Sequence, residues 1–237
     1  MATNLMNNRF SHQSVKLISY SQSVGESPDD SGLNLQELVG YCARVSNPAN
    51  QDRHDTSEKL VRYLIKHKHW SPLEMVSATV EVNTTRDIAR QILRHRSFSF
   101  QEFSQRYADP TKELDFVTRE ARLQDQKNRQ NSIAITDDSA SGISGEWNRR
   151  QAEIIQLVKS NYDWAIQNGI AKEQARAILP EGCTSSRLYM AGTLRSFVHF
   201  IDVRSGNGTQ AECADVAVKI AECLAPVFPM IAEFQQK

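Results

Sequence analysis

The sequence predicts a mixed α+β domain, rich in helix and built around a small sheet. Three observations carry that prediction. Apolar residues recur at helical spacing in one segment after another, whereas Val76 to Asn83 alternates apolar with polar, and no repeat period stands out. With 40% hydrophobic and 24% charged residues, the 237-residue chain has a globular balance. A chain of this length buries about 70% of its unfolded surface, enough for a core without disulfides or metal.

Taken in order, residues 1–14 are polar and predict a flexible tail, leaving 15–237 as a single domain. Ser21 to Ser31 is a turn-rich loop. Leu35, Leu38, Val39, Cys42 and Ala43 predict a helix over 33–45, closed by Asn47-Pro48. Leu60, Val61, Leu64 and Ile65 stripe a second helix that starts at Ser57 as N-cap and ends at His67. After Trp70-Ser71-Pro72 comes the alternating strand. Thr85 to His95 returns to helical spacing. Asp109 to Glu146 is a polar excursion, and excursions of that length inside a compact domain are usually functional. Helices are then expected over 147–168, Ala171 to Leu179, Ser186 to Val203 and Thr209 to Leu224.

Charge narrows the function. Lys plus Arg and Asp plus Glu both total 28, so the net charge is zero. That argues against a generic nucleic-acid or membrane-surface binder. No apolar run is long enough to cross a bilayer, and the first residues lack the apolar core of a signal peptide. Cys42, Cys183, Cys213 and Cys223 form no CxxC pair and have no histidine at zinc-finger spacing. They read as reduced thiols of a cytoplasmic protein, with no metal.

Within this neutral chain one segment is strongly basic. Arg86, Arg90 and Arg94 fall at i, i+4 and i+8, a column of like charges that an anion would relieve. Five arginines and two acids lie between Arg86 and Arg106. The chain has neither GxGxxG nor GxxxxGK[ST], so phosphate recognition falls to side chains, for which arginine's planar fork is suited.

The stretch QILRHRSFSFQEFSQRY (91–107) holds Arg94-His95-Arg96, seven residues, then Ser104. This RHRx7S pattern resembles the signature of the flavin-dependent thymidylate synthases. ARVSNP (43–48), KHKHWSPLE (66–74), AKEQARAILP (171–180) and the run from Arg195 to Gln210 resemble the same family, in its order. The resemblance implies that family's fold and its reaction. dUMP is methylated to dTMP with 5,10-methylenetetrahydrofolate as carbon donor, FAD as hydride carrier and NADPH as reductant, without a cysteine nucleophile. It also implies a homotetramer with FAD sites where subunits meet.

Carried over by position, the resemblance assigns Gln91, Arg94, Glu102, Ser104, Gln105, Arg106, Arg176 and Arg204 to dUMP. Arg204 is implied to be catalytic, because a fixed guanidinium stabilises the pyrimidine N3 anion and so makes C5 more nucleophilic. Ser46, His69, Ser71, Arg94, His95, Arg96, Glu102, Arg195, His199 and Gln210 are implied to contact FAD. His199 stands where some members carry Asn. Trp70, Trp147 and Trp164 are expected to be packing anchors. Two other readings remain: an RNA- or nucleotide-binding protein using Phe98, Phe100 and Phe103 as stacking platforms, and a flavoprotein of this fold with another substrate.

Overall fold

The computed structural model describes residues 10–24, 32–136, 141–206 and 208–236. Its strands are β1 (Ser14–Tyr20), β2 (Ser77–Thr85), β3 (Phe98–Glu102), β4 (Arg122–Gln124), β5 (Ser132–Ala134) and β6 (Ser185–Thr193). Its helices are α1 (Leu35–Ala43), α2 (Ser57–Lys66), α3 (Arg86–Ile92), α4 (Pro110–Glu113), α5 (Ser141–Gln167), α6 (Lys172–Ala175), α7 (Leu194–Arg204) and α8 (Ala211–Leu224). β1, β2, β6 and β3 form one antiparallel sheet in that order, and β4 pairs with β5 as a separate hairpin. The mixed, helix-rich class is as expected.

The period-2 pattern decides which face of the sheet is covered. Ala78, Val80 and Val82 of β2 and Leu188 and Met190 of β6 are buried against α7 and α8. Their neighbours Glu81 and Tyr189 point the other way, the usual arrangement of an antiparallel sheet with one face toward water. Each fully buried Leu, Met or Phe here contributes about 1.5–3 kcal/mol relative to leaving it exposed. Gly192 lets the sheet close on its core. A Cβ there would lie 2.7 Å from Cε1 of Phe98, whose ring packs edge-on against Phe197 at 5.0 Å.

The structure corrects several sequence expectations. The segment expected as one helix over Ser186 to Val203 is two elements, the central strand β6 followed by α7. Leu188 and Met190 inside, Arg187 and Tyr189 outside, is a strand alternation that the apolar content masked. Residues 10–14, expected in a loose tail, are packed: Gln13 is buried and donates to Thr84 Oγ1 at 2.7 Å, and Ser14 opens β1. Ser57 is not the cap of α2. Thr56 holds that position, and Ser57 is buried beneath Gly40 and Arg44.

The helix expected over Thr85 to His95 stops at Ile92, so the arginine column is broken. Arg86 is buried, and Arg94 lies in the turn that follows. The excursion contains α4, the β4–β5 hairpin and the start of α5. It is also tied down. Arg119 donates to Thr85 Oγ1 at 2.6 Å and Asp87 Oδ1 at 2.5 Å, and Arg122 donates through Nη2 to both carboxylate oxygens of the buried Glu212 at 2.7 Å. Trp147 and Trp164, expected as packing anchors, are exposed on α5, whereas Trp70 does pack against the core.

Candidate active site

Both helices that carry the site grow directly out of strands. β2 runs into α3 at Thr85–Arg86. β6 runs into α7 at Thr193, whose hydroxyl accepts the Ser196 N–H and caps the helix. The C-terminal ends of α3 and α7 meet on the core side of the sheet. Helix C-termini carry partial negative charge, so this is a favourable place for cations. Arg94, Arg96 and Arg204 are all there.

At the meeting point Arg204 Nε donates to His95 Nε2 at 2.8 Å. That bond requires an unprotonated imidazole nitrogen. Burial, then Arg204 and His199, push the His95 pKa down to about 4, so the imidazole is neutral at ordinary pH. The ring is fixed edge-on against Phe200 at 4.8 Å. With Nε engaged, both terminal nitrogens of Arg204 are left to present a fork to a ligand. Beside it, Gln91 Nε2 donates to Gln210 Oε1 at 2.7 Å, joining α3 to the start of α8. Gln91, His95, Arg204 and Gln210 thus form one cluster.

A second cluster lies at the far end of β3, about 13 Å along the strand. Glu102 accepts from Ser186 Oγ at 2.8 Å and faces Arg86 Nη1 at 3.4 Å. Ser104 Oγ accepts the Arg106 N–H at 3.4 Å. Arg106 pairs with Glu173 at 3.4 Å, and Arg176 Nε donates to the Glu173 carbonyl at 3.3 Å. Gln105 is only 4% exposed, and its Nε2 has no hydrogen-bond partner among the described residues. Such an orphan donor calls for an acceptor from water or a ligand.

Of the positions that the resemblance links to FAD, Arg195 and His199 line one cavity and Ser46 lines another. The first, of about 540 Å³, is lined by Trp70, Glu74, Arg195, Val198, His199 and Phe234, among others. Arg195 pairs with Glu74 at its rim. The other, of about 480 Å³, is lined by Ser46, Arg44 and Tyr63, with the Tyr63 ring 6.2 Å from His69. Ser71 opens the short 3₁₀ turn after Trp70. Arg94 and Arg96 are exposed.

Sequence reasoning gave no role to Arg44 and Glu173, nor any partner to Arg86. Arg44 sits inside ARVSNP and Glu173 inside AKEQARAILP, so both lay within recognised segments. Phe98 is buried against Phe197 and Phe200, which removes it as a base-stacking platform.

Residues 31–230 match the family model described as thymidylate synthase complementing protein. A probable flavin-dependent thymidylate synthase of Paramecium bursaria Chlorella virus 1 is 45% identical over 222 residues, covering 93% of this chain and 97% of the relative. The flavin-dependent thymidylate synthase of Synechocystis sp. is 44% identical over 205 residues, covering 86% and 91%. Among solved structures, the UMP/dUMP methylase PolB of Streptomyces cacaoi bound with 5-Br dUMP superposes with a TM-score of 0.75 at 26% identity, covering 94% of this chain and 93% of that one. The chain therefore belongs to the thymidylate synthase complementing protein family, that of the flavin-dependent thymidylate synthases.

Proposed function

We propose that this chain is an FAD-dependent thymidylate synthase. It methylates dUMP to dTMP, with 5,10-methylenetetrahydrofolate as carbon donor and NADPH as reductant. The observation that carries the reading is Arg204 held through Nε by a neutral His95. A guanidinium anchored on one edge, and free on the other, can clamp a pyrimidine carbonyl beside N3 and stabilise the anion left when the N3 proton departs. Because His95 is uncharged, it can accept the Arg204 Nε–H and does not repel the guanidinium it holds. Gln91, tied to Gln210, keeps its own carbonyl free to orient the base. Arg94 supplies a cation for the phosphate, and Ser104, Gln105, Arg106 and Arg176 supply hydroxyl, amide and guanidinium donors to the nucleotide.

The residues present fit a flavin. The cavity beside α7 sets the guanidinium of Arg195 and the imidazole of His199 against apolar walls of Trp70, Val198 and Phe234. That is the donor set a planar heteroaromatic ring and its polar tail require. His95, Arg96, His69, Ser71, Ser46 and Glu102 complete the positions that would hold FAD. The chemistry FAD supplies when bound is hydride transfer. No thiol is poised to act as nucleophile: burial pushes all four up, Cys213 to about 11. Their unpaired state also agrees with a cytoplasmic location.

We further propose a homotetramer whose sites form between subunits. The nucleotide positions fall into two clusters at opposite ends of β3, so a second copy is needed to bring them together. α5 offers a surface for it, since Ile143, Trp147, Ile154, Leu157 and Trp164 share one face, with Leu157 62% and Trp164 60% exposed. The test is tritium release from C5-labelled dUMP by the purified protein, with FAD, NADPH or methylenetetrahydrofolate omitted singly. Release that needs all three is expected. A yellow, FAD-loaded protein that releases none would overturn the substrate assignment.

A further inference from the structure

The family match ends at residue 230, but ordered packing continues beyond it. Ile231 is fully buried in the core, and Glu233 forks onto Arg62 of α2. Phe234 lines the same cavity as Arg195 and His199. Two residues later the chain closes on the end of α7. The Gln236 N–H donates to Ser205 Oγ at 2.8 Å, and that hydroxyl itself donates to the Ile201 carbonyl at 2.6 Å. The Gln236 amide donates to Asp202 Oδ1 at 3.1 Å. Its side chain lies over Gly206, where a Cβ would collide with it. Asp202, Ser205 and Gly206 flank Arg204 on both sides.

We propose that residues 233–236 are a strap that positions Arg204, with Gln236 as the positioning residue. The last turn of a helix is where backbone bonds run out and fraying starts, because its carbonyls have no intrahelical partner. Here that turn carries the guanidinium on which the proposed reaction depends. Gln236 grips it from outside through its side-chain amide on Asp202 and its backbone N–H on the Ser205 hydroxyl, while Glu233 ties the strap to α2. The strap acts through α7 and touches no reacting atom. This inference rests on the thymidylate synthase reading for its kinetic consequence but not for its structural one.

The test uses the full-length protein carrying Gln236→Ala, Gln236→Lys, Gln236→Glu or the double substitution Ser205→Ala/Gln236→Ala. Lys restores a donor toward Asp202, and Glu repels it. Expected losses of kcat/KM for dUMP are about three- to tenfold for Gln236→Ala and Gln236→Glu, and tenfold or more for the double variant, with Gln236→Lys near wild type. Thermal midpoint and bound-flavin absorbance should be unchanged. A second readout needs no turnover. NMR titration of His95 should show its pKa rising above about 4 in the double variant as Arg204 swings away, while burial, the larger cause, still holds it below 6.5; Arg204 and His199 are the titratable groups that face it.

All four variants matching wild type in both readouts would overturn the strap. So would equal losses in all four, Lys included, accompanied by a lower thermal midpoint, since that pattern means general packing. A wild type with no thymidylate synthase turnover overturns the reaction reading instead, and the His95 titration then decides the strap alone.

Discussion

His95→Ala removes the acceptor that holds Arg204. A hydrogen bond to a charged group contributes about 1.5–3 kcal/mol, and Arg204 is only half-buried, so water replaces part of it. About 1.4 kcal/mol remains as lost orientation, a tenfold fall in kcat/KM. His95→Gln keeps an amide oxygen within reach of Arg204 Nε and should recover most of that loss. Tritium release from labelled dUMP at saturating FAD measures it, with Arg204→Ala as the near-inactive reference that retains its flavin. Full activity in His95→Ala alongside an inactive Arg204→Ala would refute the reasoning, because the guanidinium would then need no anchor. A loss seen when FAD is limiting and absent at saturating FAD would assign His95 to the cofactor rather than to Arg204.

Gly192→Ala should destabilise the fold by about 1–3 kcal/mol, because Phe98 is already wedged against Phe197; urea midpoints measure it, and an unchanged midpoint contradicts the close packing. Glu212→Gln leaves Arg122 charged in a site where its partner was 2% exposed, and chemical denaturation should show a loss of about 3–5 kcal/mol. Acid should also weaken the fold through His95. Between pH 6.5 and about 4 the unfolded chain binds a proton that the folded imidazole refuses, so stability falls as the pH drops through that window. The fall between pH 7 and 4.5 should be smaller in His95→Gln; an equal fall means His95 is not the group responsible.

The sequence announced its local features well and its long-range ones poorly. The helices α1, α2 and α8 were readable because each has a strong apolar stripe of its own. β6 was not, because a strand buried in mid-sheet and a helix following it without a turn share one apolar run. β1 and β3 escaped for a related reason. Strand identity in these short segments comes from their partners, Val15 opposite Val82 and Phe100 opposite Met190, and not from their own composition. In the site, the arginines stood out as an excess of charge. What the sequence could not show was which arginine is presented and which is consumed. Arg86 turns inward to Glu102, while Arg204 is fixed by His95, and both facts depend on elements far apart in the chain.

The pairing of β2 with β6 has a consequence for how the protein comes into being. Thr85 lies opposite Ser185, one hundred positions further along the chain. Closing so long a loop adds only modestly to the entropic cost, but it slows folding, since non-local pairing must be found before it is rewarded. A chain emerging from the ribosome therefore has β2 waiting, its Val80 and Val82 side uncovered, until β6, α7 and α8 have all been made. Arg204 and His95 can meet only after that, so activity should be among the last properties a refolding chain recovers.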